Sequence, residues 1–139
     1  MPKIDAYLFF DGTCAEAVRF YESTIGAKLA MMMKGSDSPE PDKLPPAARD
    51  KVMHARLVLD DGRALMASDW ISSTPYEGMH GFAISLQYAT TAEAKRVYET
   101  LAKGGKATMP MTETFWSQAF GMLVDRFGTP WMVGGPEKK

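Results

Sequence analysis

The sequence predicts an α+β protein built as two βαβββ modules in tandem, on three observations. First, the stretch Thr13 to Met31, TCAEAVRFYESTIGAKLAM, returns at Thr90 to Met109 as TTAEAKRVYETLAKGGKATM. Thr13, Glu16, Ala17, Arg19, Tyr21 and Glu22 recur at a constant offset of 77 (90 − 13 = 77, 99 − 22 = 77), and Gly26 and Lys28 match Gly104 and Lys106 at 78 after one inserted residue. Second, a strand pair about Asp61-Gly62 has a counterpart about Gly128, with Gly62 and Met66 matching Gly128 and Met132 at an offset of 66 (128 − 62 = 66, 132 − 66 = 66). Third, the apolar runs fall in the same order in both halves.

Each copy of the long stretch opens with Thr-x-x-Glu, a capping box in which the hydroxyl accepts from a first-turn amide and the glutamate reaches back to the cap. Ala17, Phe20, Tyr21 and Ile25, and then Ala94, Val97, Tyr98 and Leu101, recur at three and four residues, so each helix buries one stripe. Gly26 and Gly104 supply the left-handed stop.

IDAYLFF, aromatic and aliphatic, is the first strand. AKLAMMMK is the second, followed by GSDSPEPDKLPPAARD, whose four prolines and alternating charges predict a mobile loop. VMHARLVLDDGRALMASDW forms a hairpin at the Asp-Gly. Residues 71–79 are a linker, so the expected organisation is one domain over 1–139, with module one at about 1–70 and module two at about 80–139. In the second half HGFAISLQY, the helix from Thr90, KATMPM and the two runs flanking Asp125 to Thr129 repeat the order. A helix on one face of each sheet leaves the opposite face for another use.

With 139 residues and 45% hydrophobic content the chain can build a core, while a net charge of −1 provides no basic field for nucleic acid or an anionic membrane. No apolar run approaches the roughly 20 residues of a membrane span. One cysteine, Cys14, permits no intrachain disulfide, and MPKIDAYLFF lacks the features of a signal peptide, which fits a reducing cytoplasm.

YLFFDGTCAEAVRFYESTIGAKL, KVMHARLVLDDGRALMASD and ETFWSQAFGMLVDRFGTPWMV together resemble the PhnB-like branch of the vicinal oxygen chelate superfamily, which includes glyoxalases, extradiol dioxygenases and bleomycin-resistance proteins. The resemblance spans nearly the whole chain. It implies curled mixed sheets that enclose a cavity with the helices outside, and it suggests a homodimer. The Phe-Trp, Phe-Gly-Met and Asp-x-Phe-Gly-x-x-Trp of the last segment are its more specific part, although Ser117 stands where relatives commonly carry glycine.

Enzymatic members hold a divalent metal with one His or Glu from the first and last strand of each module. Counted from the helix caps and hairpin glycines, those positions are Ala6, Met66, Ala83 and Met132, none of which ligates a hard divalent ion. The expected cofactor set is therefore none. If these four face inward, alternation adds Leu8, Phe10, Val52, His54, Arg56, Val58, Ser68, Ser85 and Gln87 to the same face. Tyr7, Phe9, Leu57, Leu65, Phe82, Ile84 and Leu86 would pack under the helices. The result is a largely apolar pocket with a few polar groups, and its methionines suit an adaptable shape.

His54 and Arg56 are the sharpest chemical candidates, because an imidazole and a guanidinium on one face suit a carboxylate, phosphate or enolate oxygen. The alternative is a sheet histidine with local partners and an Arg56 paired with Asp69. The full ligand-binding expectation is His54, Arg56, Met66, Ser85, Gln87, Trp116, Phe120 and Met132, with Trp116 and Phe120 closing the mouth or packing between modules or subunits. His80 is a linker residue, Tyr21 and Tyr98 pack in the core, and Cys14 is a small packing residue unless its helix start lowers its pKa.

Two function classes follow. The first is a metal-free protein that binds an apolar or aromatic small molecule. The second is an enzyme using His54 as general base, or a metal set such as His54 with Asp69 or Glu113. A methyltransferase activity ranks third, because no glycine-rich cofactor loop links a strand to a helix.

Overall fold

The computed structural model describes residues 1–139, which form two compact units, Met1–Gly78 and Met79–Lys139. The first comprises β1 (Ala6–Phe10), α1 (Cys14–Ile25), β2 (Lys28–Lys34), β3 (Val52–Val58) and β4 (Ala64–Asp69), in the sheet order β1-β4-β3-β2. The second comprises β5 (Ile84–Gln87), α2 (Thr91–Ala102), β6 (Lys106–Thr112), β7 (Phe120–Val124) and β8 (Pro130–Gly134), in the order β5-β8-β7-β6. Only the pairs β1 with β4 and β5 with β8 are parallel, so each unit is βαβββ with a mixed sheet. Neither sheet closes on itself, and each leaves the face opposite its helix open within its own unit.

α1 packs on β2, β3 and β4, and α2 on β6, β7 and β8. Under α1 lie Leu8, Phe10, Ala55, Leu57 and Ala67, with the Phe10 and Tyr21 rings 6.3 Å apart. Under α2 lie Leu123, Trp131 and Val133, and the Trp131 indole donates to Asp125 Oδ2 at 2.8 Å. Each large apolar side chain buried this way contributes about 1.5–3 kcal/mol.

The backbone hydrogen bonds of the two hairpin turns repeat. Leu59 N donates to Arg63 O and Gly62 N to Leu59 O, and at the offset of 66 Asp125 N donates to Thr129 O and Gly128 N to Asp125 O. Gly62 and Gly128 have φ of +86° and +94°, a left-handed conformation that costs glycine nothing.

The helix starts do not repeat. Thr90 accepts from Glu93 N at 3.2 Å, as the capping box requires, but Thr13 makes no side-chain cap. Asp69 replaces it: Oδ1 accepts from Cys14 N at 2.9 Å and Oδ2 from Val52 N at 2.8 Å. In the second unit Gly135 occupies the place of Asp69 (135 − 69 = 66), so only a local cap is available there.

The proline-rich loop is more ordered than its composition predicts. It carries three 3-10 turns, Gly35–Asp37, Pro41–Lys43 and Pro46–Ala48. Gly35 N donates to Lys51 O and Ser36 N to Arg49 O, closing the loop like a hairpin.

One expectation is overturned in β1. Leu8 and Phe10, expected on the open face, are buried under α1, whereas Tyr7 and Phe9, expected under the helix, are 38% and 41% exposed on the open face. The pairing registers explain the error. Tyr7 lies beside Met66, and Ser85 beside Met132, so the strands repeat at 78 (85 − 7 = 78) although the helix starts repeat at 77. One residue is missing between β5 and α2, and a slip of one residue exchanges the faces of a strand. Val52 also changes face: Met33 pairs with His54 and Lys34 with Val52, leaving Met53 as a bulge and turning Val52 inward. Phe82, expected beneath a helix, is 46% exposed.

Candidate functional site

On the open face of the first unit the registers Met31–Arg56–Met66–Tyr7 make one row across β2, β3, β4 and β1. The neighbouring row holds Met33 and His54 on one side and Ser68 and Phe9 on the other. Tyr7 reaches diagonally between the rows. Its hydroxyl is 2.9 Å from His54 Nδ1, and the two rings stack with centroids 5.6 Å apart.

Beyond Tyr7 the face deepens into an open cleft of about 330 Å³, lined by Tyr7, Phe9, Met53, Ser68 and the segment Asp69-Trp70-Ile71-Ser72. Its wall is pinned to β1, where Trp70 N donates to Phe10 O and the Tyr76 hydroxyl to Phe9 O, and is tied within itself by the Trp70 indole donating to Thr74 O, each at 2.7 Å. Phe9 stands edge-on to Trp70 at 5.4 Å. Burial, and then the nearby Asp11 charge, push the Tyr76 phenol pKa up, so it stays a donor. A second groove of about 260 Å³ lies between the same segment and Pro45, Ala47, Ala48 and Lys51 of the proline-rich loop.

His54 and Arg56 thus share a face with Met66, as expected. Arg56 does not pair with Asp69, whose carboxylate lies on the helix side bound to two amides. The Arg56 Nε is buried and has no hydrogen-bond partner.

In the second unit Ser85 and Met132 are register neighbours, Met122 follows Met132, and Phe120 and Gln87 both flank Gly134, so these residues share the face opposite α2. Gln87 Nε2 donates to Gly135 O, which ties this amide to the end of β8. Trp116 stacks edge-on to Phe120 at 5.4 Å and to Phe115 at 4.8 Å, and Phe115 and Trp116 are 87% and 44% exposed. Glu113 is ion-paired with Lys138 at 2.9 Å, and His80 is exposed.

The metal positions carried over from the resemblance become Tyr7 and Met66 in one unit and Ser85 and Met132 in the other. A phenol, two thioethers and a hydroxyl do not fit a hard divalent ion, and no three His, Cys, Asp or Glu side chains gather into a metal-holding group. Cys14 is fully buried, and burial together with the Asp69 carboxylate pushes its pKa up to about 12, the reverse of what a helix start does to an exposed thiol.

The sequence reading missed Tyr7, Phe9, Met53, Trp70, Ile71 and Ser72. AYLFF is apolar on both faces, so alternation has no phase there, and the bulge at Met53 leaves no mark in composition. Only the pairing of Tyr7 with Met66 identifies the outward side.

The glyoxalase/bleomycin resistance protein/dioxygenase superfamily model matches residues 3–133. Protein YjdN of Escherichia coli K12 is 31% identical over 138 residues, covering 94% of this chain and 92% of that protein. The crystal structure of protein PA1353 from Pseudomonas aeruginosa is 46% identical with a TM-score of 0.89, covering 97% of this chain and 98% of the other. A putative 3-demethylubiquinone-9 3-methyltransferase, PhnB protein, from Bacillus cereus is 25% identical with a TM-score of 0.80, covering 97% and 100%. No helix is long and apolar enough to cross a membrane. This chain belongs to the glyoxalase/bleomycin resistance protein/dioxygenase superfamily, in its PhnB-like branch.

Proposed function

We propose that the chain is a small-molecule binding protein whose ligand is aromatic and sits on the open face of the first unit. The observation that carries this reading is the cleft between Tyr7, Phe9, Met53 and Trp70: an apolar recess of about 330 Å³ with hydroxyls at its edge, within the usual size of ligand sites. Exposed aromatic rings held by hydrogen bonds and ring contacts lose little freedom when a planar molecule stacks on them.

Titration calorimetry against neutral bicyclic aromatics such as 2-naphthamide tests it. Binding is expected to weaken at least about fivefold in Phe9→Ala, since stacking contributes about 1 kcal/mol. No binding to the wild type at millimolar concentration overturns the proposal.

A second reading, catalysis by His54 as general base, draws support from the 2.9 Å Tyr7–His54 contact, which orients the imidazole. The methyltransferase wording of the Bacillus cereus relative finds no counterpart here. The turns before α1 and α2, Asp11 to Thr13 and Tyr88 to Thr90, contain one glycine between them and build no glycine-rich cofactor loop.

Self-association as a homodimer is part of the proposal. Its support is the exposed Phe115–Trp116 pair and the open sheet edges β1, β2, β5 and β6.

A further inference from the structure

Building on that aromatic-binding reading, we infer that the ligand is an aromatic carboxylate, its ring in the Tyr7–Phe9–Trp70 cleft and its carboxylate held by Arg56 and His54. Arg56 carries a fixed positive charge on a half-buried, apolar face, between Met31 and Met66 in its row. It has no ion pair: Asp69 lies on the other side of the sheet, and Asp5, which precedes β1, accepts from the Ala64 amide. Its Nε is buried and unpartnered, a position that normally carries a penalty unless an acceptor arrives.

His54 lies two residues away on the same face. When its Nδ1 accepts the Tyr7 hydroxyl, a neutral imidazole carries its proton on Nε2, so the free nitrogen is a donor as well. Two donors and one positive charge face an acceptor oxygen and reject a cation. Tyr7 joins the two features, since it lines the cleft and contacts His54. The Tyr7 and Arg56 backbones are separated by one intervening strand, about 10 Å at the usual strand spacing, which a bicyclic acid spans together with the long arginine side chain.

The test compares 2-naphthoate with its neutral isostere 2-naphthamide by calorimetry, in wild type and in Arg56→Met, Arg56→Lys and Phe9→Ala. Wild type is expected to bind the naphthoate about tenfold more tightly, as a charge-assisted hydrogen bond provides. Arg56→Met should remove that preference by weakening naphthoate far more than naphthamide, Arg56→Lys should keep only part of it, and Phe9→Ala should weaken both ligands. The wild-type preference should also shrink between 50 mM and 500 mM salt, a readout independent of any variant's folding. Equal binding of both compounds to wild type, with both lost in Phe9→Ala, overturns the carboxylate assignment and leaves the aromatic site standing. Failure of both compounds to bind overturns both readings.

Discussion

Asp69 Oδ1 accepts the backbone N–H of Cys14 at 2.9 Å, so α1 is capped by the last residue of β4, 55 positions later in the chain. The other carboxylate oxygen holds Val52 N at 2.8 Å, and one buried side chain thereby joins the starts of α1 and β3 to the end of β4. Replacing it strands two buried donors. Asp69→Ala is expected to destabilise the protein by about 2–5 kcal/mol. Chemical denaturation checks this, with two controls: Thr90→Ala should cost about 1 kcal/mol as a lost cap, and Thr13→Ala, which removes no cap bond, should stay within about 0.5 kcal/mol.

Cys14 predicts a pH dependence. Its pKa is raised from 9.0 to about 12 in the folded state, so the protonated thiol favours folding. That contribution is whole below pH 9 and is lost as pH climbs toward about 12, because above 9 the unfolded chain releases the proton first. Wild type should therefore lose more stability than Cys14→Ala between pH 8 and pH 10.5 in matched urea titrations. The native thiol should also remain unmodified by a maleimide at pH 8 under conditions that label the unfolded chain fully.

A close approach of strand to helix predicts a third effect. A Cβ at Gly121 would stand 2.7 Å from the Tyr98 ring, and Tyr98 is anchored by its hydroxyl bond to Met109 O at 2.9 Å. Gly121→Ala should cost about 1–3 kcal/mol by overpacking. Combined with Tyr98→Ala the penalty should largely vanish, and a double-mutant cycle by thermal denaturation measures the coupling.

The assembly proposal predicts a fourth. If the Phe115–Trp116 surface is shared between copies, Phe115→Ser with Trp116→Ser should shift the protein from dimer to monomer at micromolar concentration in sedimentation equilibrium. An unchanged mass places the interface elsewhere.

Much of the architecture lay in local patterns. The Thr90-x-x-Glu93 start of α2, the three-and-four stripes, and the glycines at 62 and 128 are features of neighbouring residues, and a helix or a tight turn is decided by neighbours. The shared face of His54, Arg56 and Met66 was legible for the same reason, as regular alternation carries along the paired parts of β3 and β4. Which side of AYLFF points outward was not local. Its two faces are equally apolar, so the choice rests on the parallel register of Tyr7 with Met66, set by a partner strand nearly sixty residues later. The Met53 bulge, the capping of α1 by Asp69 and the cleft wall from Trp70 to Tyr76 are likewise contacts between segments distant in sequence, which only the packed chain brings together.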